Sequence, residues 1–263
     1  MFTAMLEIIR TTKKKDVVTS VLHIFFNLSV AALSLGLILL FPDTPWPAIA
    51  LVAVSKWRVF AVKPRFWIPN LLSNLTDFVL CAGLVVLTWQ ADGLLWLQII
   101  LTVLYAAWLI ILKPMTKTIP VLLQAALSQF IGIVALFSVA EYIPLPVVII
   151  LAFGIGFAAA RHVLMLHEEK QFTLLALVWG VLICEIVFVA YHWVIVYGAG
   201  AIRIPEIAIV LAVLGFIAER YYTSFRNNKG QFKQDDVVVP TLFAAALLLI
   251  LLIFFSGVFV FIG

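Results

Sequence analysis

Charge is what this sequence has least of. Asp, Glu, Lys and Arg make up 11% of its 263 residues, where a soluble domain carries about 25%. Hydrophobic residues reach 65%, and a chain of this length cannot hide so much apolar surface within itself, which excludes an ordinary soluble fold. Cysteine is nearly absent. Cys81 and Cys184 lie far apart inside apolar runs, which excludes a disulfide framework and a C-x-x-C redox motif. Glycine-rich phosphate loops, a nucleophile elbow and a basic-aromatic surface for nucleic acid are missing as well. The run "HEEKQ" at 167–171 begins like the zinc-protease H-E-x-x-H, but Gln171 stands where the second ligand is needed. His162 and His167, five apart, do not share a helix face. The expectation is therefore of no cofactor, no metal and no nucleic-acid partner.

What is present is a series of apolar runs of about twenty residues, each long enough to cross about 30 Å of hydrocarbon. Barrel strands alternate in polarity and these runs do not, so the fold class is all-α, a polytopic transmembrane helical bundle in contact with the lipid bilayer. Breaks at Pro, Gly and charged residues delimit about nine spans, at 17–41, 46–62, 68–90, 93–112, 118–140, 145–166, 172–197, 205–222 and 237–262. They form one membrane domain, 17–263. In the preceding segment, 1–16, Met1, Phe2, Met5, Leu6 and Ile9 would line one helix face, with Arg10 and Lys13 to Lys15 beyond, which suits a basic segment lying on the cytoplasmic leaflet. The apolar run that follows exceeds a signal peptide's core of about 7–15 residues and ends in no A-x-A site, so it is expected to be retained.

With the amino terminus inside, every basic residue except Arg203 falls on the inner side, as the positive-inside rule requires. This places the amino terminus in the cytoplasm, the carboxyl terminus outside, and the protein in the plasma (inner) membrane. The assignment depends on 46–62, a short run with Lys56 and Arg58 in its inner third. It has to cross, with both cations snorkelling to the inner headgroups, because otherwise every later helix inverts and most basic residues end up outside.

The first eight spans group into four hairpins of one orientation, each returning to a basic inner end, an arrangement shared with transporters built from parallel repeats. Polar residues recur inside them. Ser20, His23, Asn27 and Ser34 share a face of the first span, and Asn70, Ser73, Asn74, Asp77 and Cys81 a face of the third. Gln124, Ser128 and Gln129 lie in the fifth, and Glu185, with His192 two turns above it, in the seventh. Asn27, Asp77, Ser128 with Gln129, and Glu185 all sit roughly ten to fourteen residues from a helix's inner end, about midway through the lipid. A carboxylate at a helix centre costs about 2.5–3.5 kcal/mol on insertion scales, so Asp77 and Glu185 are expected to face a shared hydrated pocket. Small-residue ridges at Ala152, Gly156 and Ala160, and at Ala32 and Gly36, are expected to let helices approach closely.

The acidic pair Glu168 and Glu169, with "FVAYH" from Phe188 to His192, resembles fragments of the intramembrane CAAX-type protease family, whose E-E-x-x-x-R and F-x-x-x-H motifs serve a membrane-embedded hydrolytic site. Thr173 stands where the arginine belongs. The resemblance implies an enzyme acting on a lipid or peptide substrate, with Glu168 and His192 in its site. The intramembrane polar residues point instead to a small transporter or channel. Its candidate ligand residues are Asp77, Glu185, Asn74, Asn27, Gln129 and His192, and its ligand a proton, a cation or a small solute. A non-catalytic scaffold or assembly subunit is the alternative.

Overall fold

The apolar runs fold as helices. The computed structural model describes residues 2–193, 195–199 and 202–255, together with their side chains except those of 2–18, 20, 58, 198, 199, 202, 252, 254 and 255. Among the described residues there are ten α-helices and one two-stranded hairpin. The helices are α1 (Phe2–Leu40), α2 (Trp46–Ser55), α3 (Trp67–Ser73), α4 (Leu75–Gln90), α5 (Leu95–Ala107), α6 (Thr118–Val139), α7 (Leu145–Leu166), α8 (Phe172–His192), α9 (Glu206–Asn227) and α10 (Gln234–Phe255). Strands β1 (Val196–Ala199) and β2 (Ile202–Pro205) pair antiparallel between α8 and α9, with Val196 opposite Pro205; the seventh span, expected to run to residue 197, ends as a helix at His192, and the expected outer loop is this hairpin. The amphipathic stripe expected on Met1, Phe2, Met5, Leu6 and Ile9 lies outside the described side chains.

Seven helices are long and apolar enough to cross a membrane, and eight spans result if the bent pair α3–α4 counts as one. The chain is an integral membrane protein. Two expected spans are not continuous helices. The run 46–62 is helical only over the ten residues of α2, a rise of about 15 Å, half the hydrocarbon thickness. It continues through 3₁₀ turns at Trp57–Val59 and Pro64–Phe66. The run 68–90 breaks at Asn74, where α3 and α4 meet at 57°. The break has a local cause. Ser73 Oγ donates to the Asn70 carbonyl at 2.9 Å, and so does Asn74 Nδ2, also at 2.9 Å. Such side-chain bonds compete with the helical ladder.

Two large apolar cores hold the bundle, with a third, smaller cluster around Phe157, Leu164 and Ala176. One joins α1, α2, α4 and α5 through Val30, Val52, Leu80, Leu84 and Tyr105. The other joins α6, α7, α8 and α9 through Ile133, Val148, Ile155, Ile183 and Leu211. Helix α4 bridges them by packing on α6 and α7, and α10 packs on α9. The fourth expected hairpin, α8 with α9, is not a closely packed pair, because the main neighbour of α8 is α7. The reason is the small-residue ridge on α7: a Cβ built at Gly156 would come within 2.7 Å of Ile183, so only glycine permits this approach. The ridge at Ala32 and Gly36 is not used in this way, since Ala32 is exposed and nothing lies within 4 Å of a Cβ at Gly36.

The loops 113–117, 167–171 and 228–233 lie at one end of the bundle, here termed the basic end. Tyr222 of α9 donates to Glu169 there, and that bond holds the Glu169 carboxyl below the ordinary glutamate range. At the opposite end Trp89 Nε1 donates to the Pro42 carbonyl at 2.6 Å.

Candidate functional site

Three helix irregularities converge on one carboxylate. Helix α2 stops after Ser55, so that Lys56 projects from its end. Helix α5 loosens into a π turn at Trp108–Leu112, which ends beside Lys113. The α3–α4 break puts Asp77 in the first turn of α4. There Asp77 Oδ2 accepts from Lys56 Nζ and from Lys113 Nζ at 2.8 Å. Its Oδ1 accepts from Trp108 Nε1 at 2.8 Å, with the Cys81 thiol at 3.4 Å. The side chains of Lys56 and Asp77 are 12% and 11% exposed, so this is a buried ion cluster rather than a surface pair. Lys56, expected to snorkel to the headgroups, turns inward because a carboxylate within reach of its stem compensates the charge better than an apolar flank does.

A cavity of about 330 Å³ opens beside the cluster at the basic end, between the start of α4 and the basic ends of α5, α6 and α7. Its polar lining comes from Ser73, Thr76, Lys113, Thr116, Gln124, Arg161 and His162. The walls are tied together. Ser128 Oγ donates to the Thr76 carbonyl at 2.9 Å, and Thr76 Oγ1 donates to the Ala158 carbonyl at 3.0 Å. Gln124 Nε2 donates to the Leu112 and Met115 carbonyls, while its Oε1 lies 2.9 Å from His162 Nε2. These bonds tie four helices together; of the two cations lining the cavity, Lys113 is paired with Asp77, while Arg161 has no hydrogen-bond or ion-pair partner among the described residues.

The expected site residues are only partly brought together. Asn74 forms the helix break three residues before Asp77 and thereby sets that carboxylate's position. Asn27 is buried, with its Nδ2 3.1 Å from His23 Nδ1 on its own helix. Gln129 links three helices: its Nε2 donates to the Leu211 carbonyl at 2.9 Å, and its Oε1 accepts from Trp179 Nε1 at 3.0 Å. Replacing Gln129 with leucine strands both partners, so a loss of about 1 kcal/mol is expected, readable as a lower unfolding midpoint in detergent. Glu185 is the correction. It lies on the exposed face of α8 and makes no hydrogen bond or ion pair with the described residues, while Asp77 is occupied by two lysines. The two acids do not share a pocket, because α8 packs on the far side of α7 rather than against α4. Asp77 also lies nearer the basic end than mid-membrane, since thirteen residues of α4, about 20 Å, separate it from the opposite end.

His192 caps α8, with its Nδ1 2.9 Å from the Phe188 carbonyl. It stands at the other end of a 21-residue helix from Glu168 and Glu169, about 30 Å away. The hydrolytic arrangement implied by the resemblance is not assembled. No group of three metal-ligating side chains occurs among the described residues. Three cluster members, Lys56, Lys113 and Trp108, escaped the reading of the sequence. The one available signal was a lysine inside an apolar run. Compared with known proteins, the chain matches no family, no curated protein and no solved structure. Its fold defines a polytopic helical membrane protein, and the site is a buried charge cluster beneath a basic vestibule.

Proposed function

We propose that this protein is a small membrane transporter or channel in which the basic-end vestibule is the mouth of a solute path and the Lys56–Asp77–Lys113 cluster closes its base. The convergence of a half-length helix, a broken helix and a π turn on Asp77 carries this reading. Irregular backbone at membrane depth is tolerated where it is buried in protein or lines a polar cavity, and discontinuous helices commonly frame transported solutes. Asp77 serves as the anchor of the two lysines rather than as a free cation site. The Lys and Arg distribution supports a basic end facing the cytoplasm in a plasma membrane.

The test is reconstitution into proteoliposomes, with solid-supported-membrane electrophysiology and stopped-flow swelling against a panel of small ions and uncharged solutes. A solute-specific signal in the native protein that disappears in the triple variant Lys56→Met, Asp77→Leu, Lys113→Met is expected. Silence of the natively folded protein toward the whole panel, or a signal untouched by the triple variant, overturns the reading.

One observation favours a second reading, a subunit of a membrane assembly. Glu185 is exposed about 20 Å along α8 from its basic end, among exposed Val178, Val181, Leu182 and Val189. A carboxylate there is costly against lipid and less so against a donor on another helix. Cross-linking through Glu185→Cys in native membranes checks this: a discrete adduct supports the assembly and a monomer-only pattern opposes it.

A further inference from the structure

Arg161 is the charged residue that the cluster does not explain. It is 8% exposed, lines the vestibule, and makes no hydrogen bond or ion pair with any described residue. Its charge rests against the face of Phe172, 5.4 Å from the ring centroid. An arginine buried to this degree normally has a carboxylate or several carbonyls around its guanidinium, because leaving it unpaired is costly. None of the residues lining this cavity is acidic. The nearby carboxylate, Asp77, already serves Lys56 and Lys113. Three cations thus accompany one carboxylate, a net charge of +2, and of the three only Arg161 has no hydrogen-bond or ion-pair partner among the described residues.

We infer that the vestibule binds a phosphate oxyanion, free or carried on a lipid headgroup, between Arg161 and Lys113. The inference rests on the reading of this recess as the mouth of a solute path. A phosphate matches the site in charge, since a phosphate monoester carries about −1.5 to −2 at neutral pH. It matches in chemistry, because a guanidinium fork takes two oxygens in parallel, and the Lys113 ammonium, which shares Asp77 with Lys56, adds positive charge to the same lining. It matches in size, a cavity of about 330 Å³ being at the small end of ligand pockets. The opening at the basic end is also where lipid phosphates lie.

Binding is measured on the full chain in phosphatidylcholine nanodiscs by scintillation proximity with radiolabelled inorganic phosphate, and in parallel by native mass spectrometry after nanodisc assembly with added phosphatidic acid. Saturable phosphate binding, competed by sulfate and not by choline, is expected if the free anion is the ligand. A retained phosphatidic acid adduct is expected if the headgroup is. In either arm Arg161→Gln weakens binding by roughly tenfold or more, and Arg161→Lys recovers part of it. The melting point of Arg161→Gln is expected to stay close to that of the native protein, because the arginine makes no hydrogen bond or ion pair among the described residues and loses only its contact with the Phe172 ring. Absence of both ligands from the native protein, or equal binding by Arg161→Gln, overturns the inference. Binding without solute flux removes the transport reading and leaves the phosphate site standing. Flux indifferent to Arg161→Gln, with no phosphate bound, does the reverse.

Discussion

Asp77→Ala is expected to destabilise the protein by about 3–5 kcal/mol, the range measured when one partner of a buried ion pair is removed. The substitution leaves the ammonium groups of Lys56 and Lys113 facing each other without a counter-charge, and it removes the acceptor of the Trp108 indole. The loss reaches three helices at once, since α2, α4 and the π turn of α5 are joined at this carboxylate. At about 2–4 °C per kcal/mol for a chain of this size, the unfolding midpoint should fall by roughly 10 °C. Asp77→Asn retains a carbonyl for Trp108 and should fall between alanine and the native residue. The triple variant Lys56→Met, Asp77→Leu, Lys113→Met removes all three charges, and apolar replacement of a buried ion cluster is often neutral or stabilising. If it melts near the native temperature, stability alone does not require the charges, and any loss of flux reports on function. If it unfolds as readily as Asp77→Ala, the cluster is structural and its proposed place at the base of a solute path loses its support.

Gly156→Leu is expected to separate α7 from α8. The Cβ alone would lie 2.7 Å from Ile183 Cγ1 and 2.8 Å from its Cβ, and neither is the free end of a flexible chain. Ile183 is fully buried, so it cannot swing aside. Overpacking of a filled interior costs about 1–3 kcal/mol; Gly156→Ala should fall within that range and the leucine at or above its upper end. Gly154, two residues earlier on α7, supplies the control. Nothing lies within 4 Å of a Cβ built there, so Gly154→Ala should stay within about 0.5 kcal/mol of the native protein. Equal melting of the two alanine variants would contradict the close α7–α8 contact. Gly180 faces Phe153 across the same interface, with a Cβ contact of 2.9 Å, so the tight approach rests on a glycine from each helix.

The candidate site was half legible in the sequence. Asp77 stood out because a carboxylate inside an apolar run needs compensation, and it is the centre of the cluster. Its partners did not stand out. Lys56 is 21 positions away and resembled an ordinary snorkelling residue, while Lys113 resembled an ordinary loop cation. Arg161 counts in the sequence only as a topology charge; its burial, with no hydrogen-bond or ion-pair partner among the described residues, is a property of the packed bundle. Asn74 and Gln129 are candidates in the sequence because they are polar residues inside apolar runs. Their observed contacts are a helix break and an inter-helix tie, distinctions that depend on which neighbour each amide meets.

Composition and the lengths of the apolar runs were enough to determine a polytopic helical membrane protein, because the lipid interior admits only backbones that satisfy their own hydrogen bonds. Run length did not decide which runs are whole helices. The end of α2 and the bend at Asn74 arise where side chains compete with the backbone and where charges find partners from other segments. Pairing was a tertiary decision as well. The approach of α7 to α8 turns α8 away from α4, so Asp77 gains two lysines while Glu185 is left on the outside. Hydrophobicity is additive along a chain and can be read there, whereas the compensation of a buried charge depends on distances that only the packed bundle sets.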